Sequence, residues 1–175
     1  MPPDPAQAAR FRERILPFMP NAFALARYLT RDDAAAEDVT QDAMLKAFRG
    51  MAGFRDGDPK AWLLAIVRRA FLDSVRSRGA WPRLIDGGAE NLEAVADDAP
   101  GAEQDLIRRD DAAALRAAIE AIPEPFREAL VLRDLEEMSY AAIAEITEAP
   151  VGTVMSRLSR ARRLLARRLG QDHRP

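Results

Sequence analysis

The chain has 175 residues, 48% apolar and only 6% aromatic, with a formal net charge of −2, one histidine and no cysteine. That length supports one ordinary domain or two small ones, while the missing cysteines exclude a disulfide framework, a thiol nucleophile and cysteine-ligated zinc. The lone His173 lies in a polar tail, so histidine chemistry has almost no material; catalytic residues, cofactors and metal ligands are expected to be absent.

Alanine and leucine dominate and runs of β-branched residues are missing, so an all-α fold is predicted. No apolar run approaches the roughly 20 residues that cross a bilayer, and the start MPPDPAQAARFRER lacks the apolar stretch of a signal peptide. A cytoplasmic protein without membrane insertion is expected. Residues 1–10 are assigned to a disordered tail, although helical signal begins near Gln7 and runs to Leu29, interrupted by Pro17 and Pro20. Asp33 is expected to cap a third helix ending at Arg49. After the loop GMAGFRDGD, Asp58 and Pro59 form an N-cap and first-turn pair that opens a helix to Arg78. These four helices make a first domain, 11–79.

Charge is sorted along the chain. From Trp81 to Asp105 there are seven acids against a single Arg83, and this stretch has glycines, prolines and no sustained period, so 80–102 is read as an acidic flexible linker. Helical periodicity returns at Glu103–Ala121 and stops at Pro123. Helices over Glu124–Leu135 and Ser139–Ile146 follow, then a long basic one, giving a second four-helix domain, 103–170, and a tail, 171–175.

The last helix holds six arginines and no acid between Gly152 and Leu169. At 100° per residue, Val154, Leu158, Ala161, Leu165 and Leu169 form one apolar stripe. The opposite face carries Thr153, Ser156, Ser159, Arg160, Arg163 and Arg167, groups suited to bases and phosphates. The segment SYAAIAEITEAPVGTV before it has helix-turn-helix spacing, with Ile143 and Ile146 placed to meet Val154 and Leu158. The first turns would touch base edges while Arg162, Arg163, Arg167 and Arg168 reach flanking phosphates. A solvated basic face is the plain alternative, and a membrane-surface helix would need a broader, aromatic apolar face.

Two blocks together resemble the extracytoplasmic-function (ECF) group of the bacterial sigma-70 family of transcription initiation factors, over about Phe11 to Leu169. One is AEDVTQDAMLKAF followed by AWLLAIVRRAFLDSVRSR; the other is AIPEPFREALVLRDLEEMSYAAIAEITEAPVGTVMSRLSRARRLL. The resemblance implies a region 2 that binds the polymerase clamp and melts the minus-10 element, a linker, and a region 4 that reads the minus-35 element. It implies a monomer when free, acting in promoter-specific initiation, in a stress or envelope response under an anti-sigma factor. The partners so implied are core RNA polymerase, through its beta-prime clamp and beta flap, and promoter DNA.

Site residues follow from local chemistry and the resemblance together. Thr153, Ser156, Arg157, Ser159, Arg160 and Arg163 are assigned to the minus-35 duplex. Phe54, Lys60, Arg68, Arg69 and Arg76 are assigned to the minus-10 strand, since basic groups beside an aromatic suit single-stranded DNA. Trp62, Leu63 and Ile66 recur at helical spacing and are expected in the core. Leu45, an apolar residue among Asp38, Gln41 and Asp42, is the expected polymerase anchor. Arg69 stands where the family pattern WLxxIxxN has asparagine, and Glu148 where its turn often has glycine. Composition leaves the linker as either a passive tether or an acidic occupant of the polymerase RNA path. A stand-alone helix-turn-helix regulator is the alternative function; it gives Leu45 and the first basic helix no role.

Overall fold

The computed structural model of the chain describes residues 4–77, 79 and 105–171, and every regular element in it is helical. Helix α1 spans Pro5–Arg14, with Asp4 accepting from the Ala6 amide at 3.0 Å and proline at its first position. This corrects the expected tail: from Pro5 onward the segment is a capped helix. Gln7 Nε2 donates to the Phe48 carbonyl at 2.7 Å and Arg10 Nη2 to that of Phe54 at 3.0 Å, while Phe11 meets Phe48 edge to face. Pro17 lies in a single 3₁₀ turn, Leu16–Phe18, and Pro20 falls in the first turn of α2, Met19–Thr30, where its missing N–H costs nothing.

Helix α3 spans Asp33–Gly50, and its cap is Asp32 rather than Asp33: the Asp32 carboxylate accepts from the Ala35 amide at 2.7 Å. Asp33, displaced into the first turn, pairs with Arg27 instead. Helix α4, Pro59–Ser77, starts as expected, with Asp58 accepting from the Lys60 amide at 2.9 Å. Fully buried Ala22, Ala26, Ala36, Ala43 and Ala47 let α2, α3 and α4 approach closely, and Leu25, Leu63, Leu64 and Val67 fill the space between them. Each such leucine contributes about 1.5–3 kcal/mol through burial.

In the C-terminal half, α5 spans Asp105–Glu120, α6 Phe126–Leu130, α7 Tyr140–Thr147 and α8 Val151–Gln171. The uninterrupted helix expected to Leu135 is instead α6 followed by a π-helical turn, Val131–Leu135, closed by Glu136 N–H on the Val131 carbonyl at 2.9 Å. Ser139 caps α7 through the Ala142 amide at 3.1 Å. The linker predicted at 80–102 and the tail beyond Gln171 lie outside the described residues.

The two halves pack together. Helix α7 lies against α4 and α6 against α2, and one buried cluster runs from Ile15 through Phe71 to Ile143 and Ala161.

Candidate functional site

The turn between α7 and α8 is three residues, Glu148 to Pro150, with Glu148 in the left-handed conformation at φ 54°. Glu148 and Ala149 amides return to the carbonyls of Glu145 and Ala144 at 3.4 and 3.0 Å, a glycine-type helix ending built on a glutamate. Ile143, Ile146, Val154, Leu158 and Ala161 are buried in the shared core, so the apolar stripe is fixed inward. Ser156, Ser159, Arg160 and Arg163 are therefore exposed, with Thr153 half-buried beside them.

Two details limit that face. Ser156 Oγ donates back to the Thr153 carbonyl at 2.9 Å, and the Arg160 guanidinium lies over the Phe126 ring at 5.1 Å, which restricts its rotamers. Arg160, Arg163 and Arg167 line one shallow hollow with Leu164, a cluster of guanidinium groups suited to a phosphate. Arg162 does not join them, because it makes a two-pronged contact with Asp134 at 2.6 and 3.0 Å. Arg168 donates to the Ala121 carbonyl at 3.3 Å. Arg157 is half-buried, and its charge is felt by the Glu128 carboxyl rather than projecting from the Ser156 face.

On α4 the expected strand-facing cations look toward the C-terminal half. Lys60 Nζ lies 2.9 Å from Glu136 Oε2, Arg68 Nε donates to Glu128 Oε1 at 2.7 Å, and Arg69 Nη2 reaches Glu148 Oε1 at 3.4 Å. Arg76, in the last turn, lies 3.9 Å from Asp73. Phe54 is 5% exposed, tilted against Trp62 at 4.7 Å between centroids and covered by Arg14. In this packing its ring is a core residue with no free face for a base. Leu63 is fully buried, while Trp62 and Ile66 are half-buried against the same core.

The four residues assigned to polymerase divide between two sides of α3. Gln41 and Leu45 line an apolar groove with Phe11, Leu16, Met19, Phe23, Met44 and Phe48. Asp38 and Asp42 instead face a depression shared with Ala70, Asp73 and Ser74 of α4, where Lys46 bridges Asp42 and Asp73 at 2.8 and 3.0 Å. Leu45 is 50% exposed, as its place opposite the alanine stripe requires.

Several residues of these surfaces escaped sequence reasoning. Leu16, Met19 and Phe23 stay exposed at 40%, 46% and 36%; their i, i+3, i+7 spacing is a legible signal, masked by the prolines between them. Val151 and Met155, exposed on the first turns of α8, are apolar groups of the kind that meets a thymine methyl. Behind α8, Glu124 and Arg127 form a buried pair; burial pushes the Glu124 carboxyl up and the Arg127 guanidinium down from their ordinary values. Burial, then the neighbouring Glu124 charge, pushes Glu128 up to about 7, against the opposing pull of Arg68. Among the described residues no acidic or histidine cluster could hold a metal ion, and no helix is long and apolar enough to cross a membrane.

Comparison with known proteins assigns these two halves. Residues 15–80 match the sigma-70 region 2 family and residues 112–165 the sigma-70 region 4 family. The RNA polymerase sigma-H factor of Pseudomonas aeruginosa is 32% identical over 161 residues, covering 89% of this chain and 83% of that protein. The ECF sigma factor SigM of Mycobacterium tuberculosis is 38% identical over 147 residues, 83% of this chain and 70% of the relative. With the ECF sigma factor SigE of Mycolicibacterium smegmatis the identity is 32% over 93% of this chain, which spans 62% of that longer protein. Among solved structures, the sigma factor RpoE of Bartonella quintana, in complex with the anti-sigma factor NepR, superposes with a TM-score of 0.70 at 31% identity, over 93% of this chain and 98% of that one. CnrH, in complex with the cytosolic domain of CnrY, shares the fold at a TM-score of 0.66 and 20% identity, over 94% and 90% of the two chains. With region 2 on α2 to α4 and region 4 on the helices that end in the helix-turn-helix, the chain belongs to the ECF group of the sigma-70 family of RNA polymerase sigma factors.

Proposed function

We propose that the protein directs core RNA polymerase to a particular set of promoters and helps open them, without itself catalysing a reaction. The observation that carries this reading is the start of α8. A three-residue turn and a sealed Val154, Leu158 and Ala161 stripe leave Ser156, Ser159 and Arg160 pointing outward on one helical face. Such a face can read base edges in a major groove, with Thr153 beside it and Arg163 and Arg167 taking phosphates.

The other contacts belong to the N-terminal half. Lys60, Arg68 and Arg69 of α4, with Arg76 further along, supply the cations for the minus-10 strand; buried Phe54 is left out of that set. The apolar groove around Leu45 supplies the polymerase contact, with Gln41 on its rim. An anti-sigma factor is the proposed regulator, by analogy with the NepR-bound relative, and the cytoplasm the proposed location.

In vitro transcription with core polymerase and a randomised promoter library tests the reading. Arg160→Ala is expected to weaken minus-35 recognition by about 1–3 kcal/mol while leaving polymerase binding intact. An unchanged promoter preference would remove Arg160 from the reading face.

A further inference from the structure

Arg160 is held from outside its own helix. Its guanidinium carbon lies 5.1 Å from the centre of the Phe126 ring, which belongs to α6, the helix packed along α8. Phe126 is a fixed platform. It is half-buried against the shared core, and its N–H donates to the Pro123 carbonyl at 3.0 Å. The next residue, Arg127, is 2% exposed and donates to the carbonyls of Glu120 at 3.1 Å and Ile122 at 2.8 Å, which ties the start of α6 to the end of α5.

Neighbouring arginines are positioned by other means. Arg162 is held by Asp134, and that contact occupies Nε and Nη2, one edge of the guanidinium fork. Arg133 lies over the Tyr140 ring at 4.8 Å, yet its Nη1 is committed to the Met138 carbonyl at 2.7 Å. Arg160 rests on a ring and, among the described residues, its side chain makes no ion pair or hydrogen bond. The difference is chemical. A carboxylate that fixes an arginine also occupies its fork, whereas a ring attracts the cation through its face and takes no donor. The fork is the part that pairs bidentately with O6 and N7 of guanine in a major groove.

We propose that Phe126 is a positioning residue for base selection: its ring holds the Arg160 guanidinium in place on the reading face while leaving the fork free for one guanine of the minus-35 element. The inference deepens the reading of Arg160 as a base contact, put forward above, and rests on it.

The ring supplies preorganisation. A free arginine loses rotamer freedom on meeting one base, and the share already lost in the unbound protein does not count against binding. A guanidinium held at one place also favours one base pair over its neighbours, so the effect falls on discrimination rather than on general attraction to DNA. Arg163 and Arg167, which share a hollow with Arg160, supply that attraction through phosphates.

Holoenzyme assembled from core polymerase and the full chain, transcribing a library randomised across the minus-35 element at fixed salt, reads discrimination pair by pair. Arg160→Ala identifies the base pair that Arg160 reads. Phe126→Leu removes the ring and should lower discrimination at that same pair about two- to fivefold, the scale of an exposed cation–ring contact, with the other pairs unchanged. Phe126→Met, also ringless but flexible enough to fill the space, should do the same and covers the case of a leucine variant that folds poorly. Phe126→Tyr keeps the ring and should keep the wild-type profile. In an Arg160→Ala background, Phe126→Leu should add no further loss at that pair, because the two changes act through one contact. The slope of promoter binding against salt should stay unchanged in the ringless variants, since no phosphate contact is removed.

Full discrimination in both ringless variants, a loss spread evenly over the element, or an equal loss in Phe126→Tyr or in the Arg160→Ala background would overturn the proposal. The two claims fail separately. An unchanged profile in Arg160→Ala removes Arg160 from the reading face and the proposal with it. A shift at one pair in Arg160→Ala, with none in the ringless variants, leaves the reading intact and removes Phe126 alone.

Discussion

Glu128 places a carboxylate where water barely reaches, between Arg68 of one half and the Glu124 and Arg157 charges of its own. Burial raises its folded pKa to about 7 from an ordinary value near 4.5, and Glu124 adds to the rise. The sign of the consequence follows from proton counting. Between pH 4.5 and 7 the folded chain holds a proton at Glu128 that the unfolded chain releases. The stability linked to this group is therefore fully present below pH 4.5 and is lost as pH rises through 7. A single group gives at most about 1.4 kcal/mol per pH unit in that window. Glu128→Gln keeps the shape without the titration, so the stability difference between wild type and variant should move in favour of wild type as pH falls from 8 to 5.5. Parallel urea-unfolding profiles across that range would show that Glu128 does not titrate there.

The turn between α7 and α8 carries its own strain, because Glu148 holds a left-handed backbone that its Cβ disfavours. Its side chain gains little in return, since the contact to Arg69 is exposed and 3.4 Å long. Glu148→Gly should stabilise the protein by about 1 kcal/mol, read as a higher urea midpoint with an unchanged slope. A lower midpoint would mean that the Arg69 contact outweighs the strain. At the start of α3 the balance runs the other way: Asp32→Ala removes the cap on the Ala35 amide and should cost about 1 kcal/mol. Element ends of this kind are largely legible in the sequence. Asp58–Pro59 and Ser139 each declare themselves by residue type at a fixed offset from an apolar period, whereas the left-handed position at Glu148 is marked only by the family pattern, which often has glycine there. What escaped is as instructive. Adjacent Asp32 and Asp33 are equally good caps by type, and only the backbone chooses between them. The π turn at Val131–Leu135 adds one residue to a helical repeat, which no pattern of leucines and valines distinguishes from an α-helix. Pro5 behind Asp4 has the same signature as Pro59 behind Asp58, yet it lay inside a stretch assigned to a tail by its terminal position.

At the scale of the molecule the sequence shows two halves but not how they meet. Lys60 and Glu136 are 76 positions apart, and nothing local to either names the other. The same closure separates the surfaces by availability. The α4 cations are occupied, whereas the groove formed by α1, the 3₁₀ turn, α2 and α3 lies open, with Leu45, Met19, Leu16 and Phe23 unburied around it. Leu45 is the most exposed of the four, and charge in an apolar groove opposes docking by desolvation as well as by lost contact. Leu45→Lys should therefore weaken co-purification with core polymerase by 2 kcal/mol or more, roughly 30-fold in affinity. It should leave the thermal melt unchanged, since the side chain supports no core, and leave minus-35 duplex binding by the isolated protein unchanged, since α8 belongs to the other half. Polymerase retained at wild-type levels would move the docking face elsewhere on α3, to the depression where Asp38 and Asp42 face α4. Asp38→Lys in the same assay would then be the variant that loses it.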